Sequence, residues 1–205
     1  MVRGALALLA AGTALLLPSC VRASDGSPTM RPAESSTAAA SSAVPTDDVP
    51  GVVPTPAATS DEDCAPVGVP VDVRTDDPKA PTVVVGVPDG WTATPAQDGV
   101  TMRGRGMSGT VTITATPMGP AQAFRRYADD LTAESELSTL SLLPAQTCGF
   151  SGQKLMGQLD EVVYEARIVH VPGYLIAVYA EAPTGTPDFD AAAAVPTGGL
   201  RIGLP

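Results

Sequence analysis

The chain predicts an α+β fold, a central antiparallel β-sheet flanked by helices, preceded by a signal peptide and a disordered tether. Three observations carry this prediction. Short β-branched runs are punctuated by turn residues, one long stretch reads as a β-hairpin, and two helical segments stand apart from each other with no alternating strand–helix rhythm. The expected boundaries are a leader over 1–19, a tether over 20–63 and one folded domain over 64–205.

The leader is read first. Arg3 supplies a positive start, Ala5 to Leu17 an uncharged apolar run, and Leu17-Pro18-Ser19-Cys20 has the form of a bacterial lipoprotein box. The run stops at Pro18, short of the about 20 apolar residues that a membrane-spanning helix needs. Cys20 is therefore the expected lipidation site, and the chain is expected to be exported and held at the cell membrane, facing outside. Val21-Arg22-Ala23 before Ser24 offers a small-x-small cleavage site as well, which would remove Cys20 and leave a secreted soluble protein; that alternative stays open.

From Val21 to Asp63 there is no aromatic residue, and Pro28, Pro32, Pro45, Pro50, Pro54 and Pro56 interrupt a run of Ala, Ser, Thr and Val. Such a segment buries too little apolar surface to offset the entropy of ordering it, so the composition predicts a semi-stiff spacer. Ser35-Ser36-Thr37 and Pro54-Thr55-Pro56 are the kind of clusters that carry O-linked sugars. The formal net charge is −10, from 12 Lys and Arg against 22 Asp and Glu. An acidic balance of this size argues against nucleic acid as a partner and against adsorption to anionic lipid headgroups.

Within the domain, Val69 to Val73 alternates apolar and polar residues, and Thr82 to Val87 is a dense β-branched run closed by Pro88-Asp89-Gly90 before Trp91. Val111, Ile113 and Ala115 share one side of a further strand. Thr110, Thr112, Thr114 and Thr116 share the other, read as a solvated face. Pro120 suits a first helical position, and Phe124, Tyr127, Ala128 and Leu131 repeat at the spacing of one buried stripe. Arg125 with Asp129 and Arg126 with Asp130 lie four apart on its outer side. The hairpin runs from Glu161 to Glu181 around Pro172-Gly173, with Val162, Tyr164, Ala166, Ile168 and His170 on one face and Glu165 and Arg167 on the other. A short helix over 188–195 and a strand-like segment from Leu200 to Leu204 close the chain.

Cys64 and Cys148 remain as an even pair once Cys20 is acylated or removed, and in an oxidising compartment they are expected to form a disulfide. Pro81 to Trp91, following a lipobox and a Ser/Thr/Pro tether, resembles the actinobacterial LpqN/LpqT-type lipoproteins. That resemblance covers roughly Thr82 to Leu204 and implies a PsbP-like α/β/α sandwich, with a sheet carrying helices on both sides. It implies accessory and binding roles and brings no catalytic residues. The pair Cys64 and Cys148 is a departure from the group.

No catalytic constellation is legible, and the chain is expected not to be an enzyme. His170 is the single histidine, so a His/Cys zinc site is excluded once the cysteines pair, and no metal or cofactor is expected. No Gly-x-Ser-x-Gly elbow occurs. Asp160, Glu161, Glu165 and Glu181 gather near the hairpin and are read as its solvated side. Gly104-Arg105-Gly106-Met107-Ser108-Gly109 spells a dinucleotide fingerprint in letters, but it leads into a strand instead of opening a helix and is read as a flexible loop. Arg103 and Arg105 make that loop a basic spot on an acidic domain and the expected contact for a partner. Two functions follow: a non-catalytic binding or accessory module of the cell envelope, and alternatively a carrier for an apolar envelope lipid or glycolipid held between sheet and helix.

Overall fold

The computed structural model describes residues 49–53 and 64–205. Ten strands and two helices follow in the order β1 (Val69–Val73), β2 (Thr82–Val87), β3 (Thr92–Ala96), β4 (Gly99–Gly104), β5 (Met107–Ala115), α1 (Pro120–Thr132), β6 (Ser138–Pro144), β7 (Ser151–Leu159), β8 (Val162–Val171), β9 (Tyr174–Pro183), α2 (Phe189–Gly198) and β10 (Leu200–Gly203). The α+β class and the central antiparallel sheet with a helix on each face are as expected, and a second, smaller sheet is present besides. A seven-stranded antiparallel sheet has the order β3-β4-β5-β9-β8-β7-β6, and a three-stranded sheet has the order β1-β2-β10.

Alternation along the strands decides what each face meets. Val100, Met102, Val111, Ile113, Val169, Val171, Ile176, Val178 and Ala180 point to one face of the large sheet. They pack there against Val73, Val83, Val85 and Val87 of the small sheet and against Phe189 and Ala193 of α2. Leu155, Tyr164, Ala166, Ile168 and Ala177 point to the other face and meet Phe124 and Ala128 of α1. One helix thus lies on each side of the large sheet, and the small sheet shares the α2 side. A second sheet has no periodic signature of its own, because β10 reaches β2 from more than a hundred residues away, with Leu200 opposite Val85.

Turn chemistry fixes the registers. Pro172-Gly173 reverses β8 into β9 with Gly173 at φ 81°, the left-handed position that a type II turn reserves for glycine. Arg105 (φ 52°) and Gly106 (φ 76°) join β4 to β5 as a two-residue turn with both residues left-handed, the type I′ pattern. The glycine-rich stretch is therefore not a flexible loop: Gly104 ends β4, and Met107 to Gly109 begin β5.

Residues 49–53, inside the span whose composition predicts a structureless tether, are docked on the domain. Gly152 N–H donates to Gly51 C=O (3.0 Å), Val53 N–H to Ser151 Oγ (2.8 Å) and Gln153 Nε2 to Pro50 C=O (2.6 Å). Val49 and Val52 add to the α1-side core. The prolines and small residues that make free chain stiff also let a backbone lie closely along a strand end, which composition does not disclose. The leader, Cys20 and the remaining tether lie outside the described residues.

Candidate functional site

The face carrying α1 is only half covered. The helix packs on β7 and β8, which leaves β5 and β9 flanking it. A cavity of about 500 Å³ opens between them, floored by Thr112, Thr114, Leu175 and Ala177 and walled by Tyr127 and Ala123 of α1. Two threonines of β5 thus lie in a groove, Thr112 half-buried and Thr114 still exposed, and Thr116, just past the strand end, lines it as a buried residue. At the outer lip Arg126 donates to Asp130 at 2.8 Å, so the two charges largely satisfy each other. Both are exposed, and such a pair contributes only a few tenths of a kcal/mol.

The inner end of the groove is held by backbone. Met118 C=O lies 2.8 Å from His170 Nε2, and Thr116 N–H donates to Gly173 C=O at 2.8 Å. His170 therefore joins the end of β8 to the lead-in of α1. Beyond the groove the tyrosines gather: Tyr164 and Tyr179 stack with centroids 6.0 Å apart. Burial, and secondarily Tyr164, pushes the Tyr127 hydroxyl up to about 12. Tyr179 is also raised, by burial first and then by the Glu181 carboxylate that accepts its hydroxyl at 2.8 Å. Tyr164 donates to Thr139 C=O at 3.1 Å as Tyr179 does to Glu181, while Tyr127 supplies the groove's wall.

The structure separates the arginines that the sequence places together. Arg103 stands on β4, exposed, opposite Thr92 and Ser108. It shares the α1 face, since its neighbours Met102 and Val100 point into the other core. Arg105, at the turn, lines a different cavity of about 590 Å³ with Trp91, Asp89, Asp188 and Val195 beside α2. Two positions apart should share a face, but the turn breaks the alternation, so no single basic patch forms.

The four acids of the hairpin also divide. Asp160 and Glu161 sit exposed at the β7–β8 turn, and Glu181 accepts from Ser108 Oγ at 3.0 Å on the α1 side. Glu165 is not solvated: it is 6% exposed on the α2 side. There it pairs with Lys154 Nζ at 2.9 Å and accepts from the Thr197 hydroxyl of α2. Arg167 lies alongside, donating to Ala145 C=O (3.3 Å) and Thr147 Oγ1 (3.2 Å), and burial lowers its guanidinium pKa against the opposing pull of Glu165. The signal that could have found this cluster is the α2 sequence, where Thr197 is the one hydroxyl on a helix that is mostly Ala, Val and Phe.

Cys64 and Cys148 are joined as a disulfide with Cα atoms 5.3 Å apart. Cys148 (φ 53°) and Gly149 (φ 77°) form a second turn with two left-handed residues, between Thr147 and Phe150. Among the described residues no group of three metal-ligating side chains is gathered, and no helix is long and apolar enough to cross a membrane.

No protein-family model matches this chain, and no curated protein matches it. Its fold is similar to that of solved structures. One is LpqN of Mycobacterium tuberculosis, described as involved in cell envelope biogenesis, 18% identical over 65% of this chain and 90% of that one, with a TM-score of 0.47. Another is the cyanobacterial PsbP protein (CyanoP) of Synechocystis sp. PCC 6803, 16% identical over 63% of this chain and 91% of that one, with a TM-score of 0.42.

Proposed function

We propose that the chain is an exported lipoprotein, anchored through Cys20, whose folded part is a non-catalytic binding module of the cell envelope. The observation that carries this reading is the groove between α1 and the sheet. Its volume falls within the roughly 300–1,000 Å³ of small-molecule sites, and its lining is apolar with a few hydroxyls. No nucleophile activated by a base lines it, since His170 is occupied by the Met118 carbonyl and the lip charges pair with each other. The Cys64–Cys148 bond fits an oxidising compartment. Cys20→Ala is expected to move the chain from the membrane fraction to the medium; unchanged partition would defeat the anchor.

The groove favours the carrier form of this module, in which an apolar envelope lipid lies between sheet and helix, over capture of a protein by an arginine loop. The arginines point to different places, whereas the groove is already formed. Native mass spectrometry of the mature chain exported from an actinobacterial host is expected to show an added mass of lipid size that is lost on denaturation. The same mass should be absent from Thr112→Trp, which fills the groove floor. A bare wild-type chain would overturn the carrier form and leave the protein-binding form standing.

A further inference from the structure

Among the described residues, the outer edge of β6 is the least protected sheet edge. Natural sheets guard their edges with proline, charge or bulges. The other outer strands follow that rule: β3 carries Pro95, β1 carries Pro70 and Asp72, and β10 carries Arg201. In contrast, β6 reads Ser-Thr-Leu-Ser-Leu-Leu-Pro, with no charge and its one proline only at the last position, and every residue of it is exposed. Leu140, Leu142 and Leu143 are 37%, 41% and 47% exposed, and Leu137 just before them 65%. No described strand lies beyond it.

The direction of its backbone groups follows from its two ends. Leu137 C=O accepts from Asp160 N–H at 2.8 Å, and Ala145 N–H donates to Gly152 C=O at 3.1 Å. The ladder between them is continuous, from Ser138 opposite Leu159 to Pro144 opposite Gln153. Odd-numbered residues therefore bond inward to β7, and Ser138, Leu140, Leu142 and Pro144 turn their N–H and C=O groups outward. Pro144, which has no N–H, stands at an outward position where none is required of the ladder to β7.

We infer that β6 pairs with β6 of a second copy of this chain, antiparallel about a twofold axis through Ser141, joining two seven-stranded sheets edge to edge. The sequence is self-complementary in that register. Leu140 falls opposite Leu142 of the second copy and Leu142 opposite its Leu140, giving four N–H to C=O bonds between hydrogen-bonded pairs. Ser138 falls opposite Pro144, adding one bond at each end. A twofold axis normal to the sheet keeps faces matched, so four leucines gather on the α1 side, where Leu142 already lies opposite Leu155 of the core. The absence of charge is what selects a second copy as occupant: like meets like across a twofold axis, and any charge on the strand would have faced itself or its near neighbour. Two seven-residue edges bury less than the about 800 Å² per partner of a standard interface, so the pair is weak and concentration-dependent.

The test uses the mature chain with Cys20→Ser, so that the Cys64–Cys148 bond is the only native thiol chemistry. In the proposed register Ser141 meets Ser141 as a non-hydrogen-bonded pair about 4.5 Å apart, within disulfide reach. Ser141→Cys is expected to oxidise to a covalent dimer, while Gly106→Cys at an exposed turn does so far more slowly. Thr139→Cys and Leu143→Cys should crosslink only when the two are mixed. Sedimentation velocity should show a monomer–dimer equilibrium that Leu142→Lys weakens by about tenfold or more, with an unchanged melting temperature. Equal crosslinking of Ser141→Cys and Gly106→Cys, crosslinking of Leu143→Cys alone, or species growing beyond the dimer would each overturn the twofold pairing.

Discussion

Glu165 shows how far a single residue's role depends on what lies above it. In the strand it sits two positions from Arg167, an alternation that by itself reads as an outer face. Burial under α2 turns it into an anion that needs Lys154 and Thr197. Removing one partner of a buried pair leaves the other charge uncompensated, which costs more than the pair contributes. Lys154→Met is thus expected to destabilise the domain by on the order of 3 kcal/mol in urea unfolding. Lys154→Met combined with Glu165→Leu should recover most of that loss, and equal losses in the single and double variants would contradict the account. The threonines of β5 follow the same logic: their hydroxyl-bearing face was visible in the sequence, but whether it met water or a helix flank was not. Neither side chain differs chemically from its reading; its surroundings do.

At the scale of elements, the strands and helices with a full period were legible. β1, β2, the Pro172-Gly173 hairpin and the stripe of α1 follow from alternation, turn residues and three-four spacing. β6 was not, because three leucines and a proline among serines carry neither period. The strap at residues 49–53 was not either, since its stability comes from hydrogen bonds to β7 and not from its own composition. Gly51 is central to it: at φ 83° a side chain is strained, and a Cβ there would fall 1.8 Å from the Gly152 carbonyl. Gly51→Ala is expected to release the strap while the sheets stay folded. Hydrogen exchange would show faster exchange at the amides of Gly152 and Val53, with β8 and β9 amides unchanged; retained protection at Gly152 would refute the strap's role.

For the whole molecule, the disulfide is the longest-range covalent constraint among the described residues. Cys64 and Cys148 are 84 residues apart. In the chain-entropy picture a loop of that size is worth about 4.6 kcal/mol, drawn from the freedom of the unfolded chain. Cys64→Ala with Cys148→Ala should lower the unfolding free energy by about that amount, without moving the tyrosine stack or the groove; a change below about 1 kcal/mol would mean that the unfolded chain is already compact there. The sequence by itself determined the α+β class, the main hairpin, the stripe of α1 and the cysteine pairing partners available, because these depend on local period, turn geometry and simple count. Only the tertiary structure decided that there are two sheets, that Arg103 and Arg105 part company, that Glu165 is buried, and that a groove flanks α1 and an unguarded edge ends the sheet. Apart from the arginines, parted by a local turn, each of those depends on which faces meet between segments separated along the chain, by more than a hundred residues where β10 joins β2, and such packing leaves no mark on either segment alone.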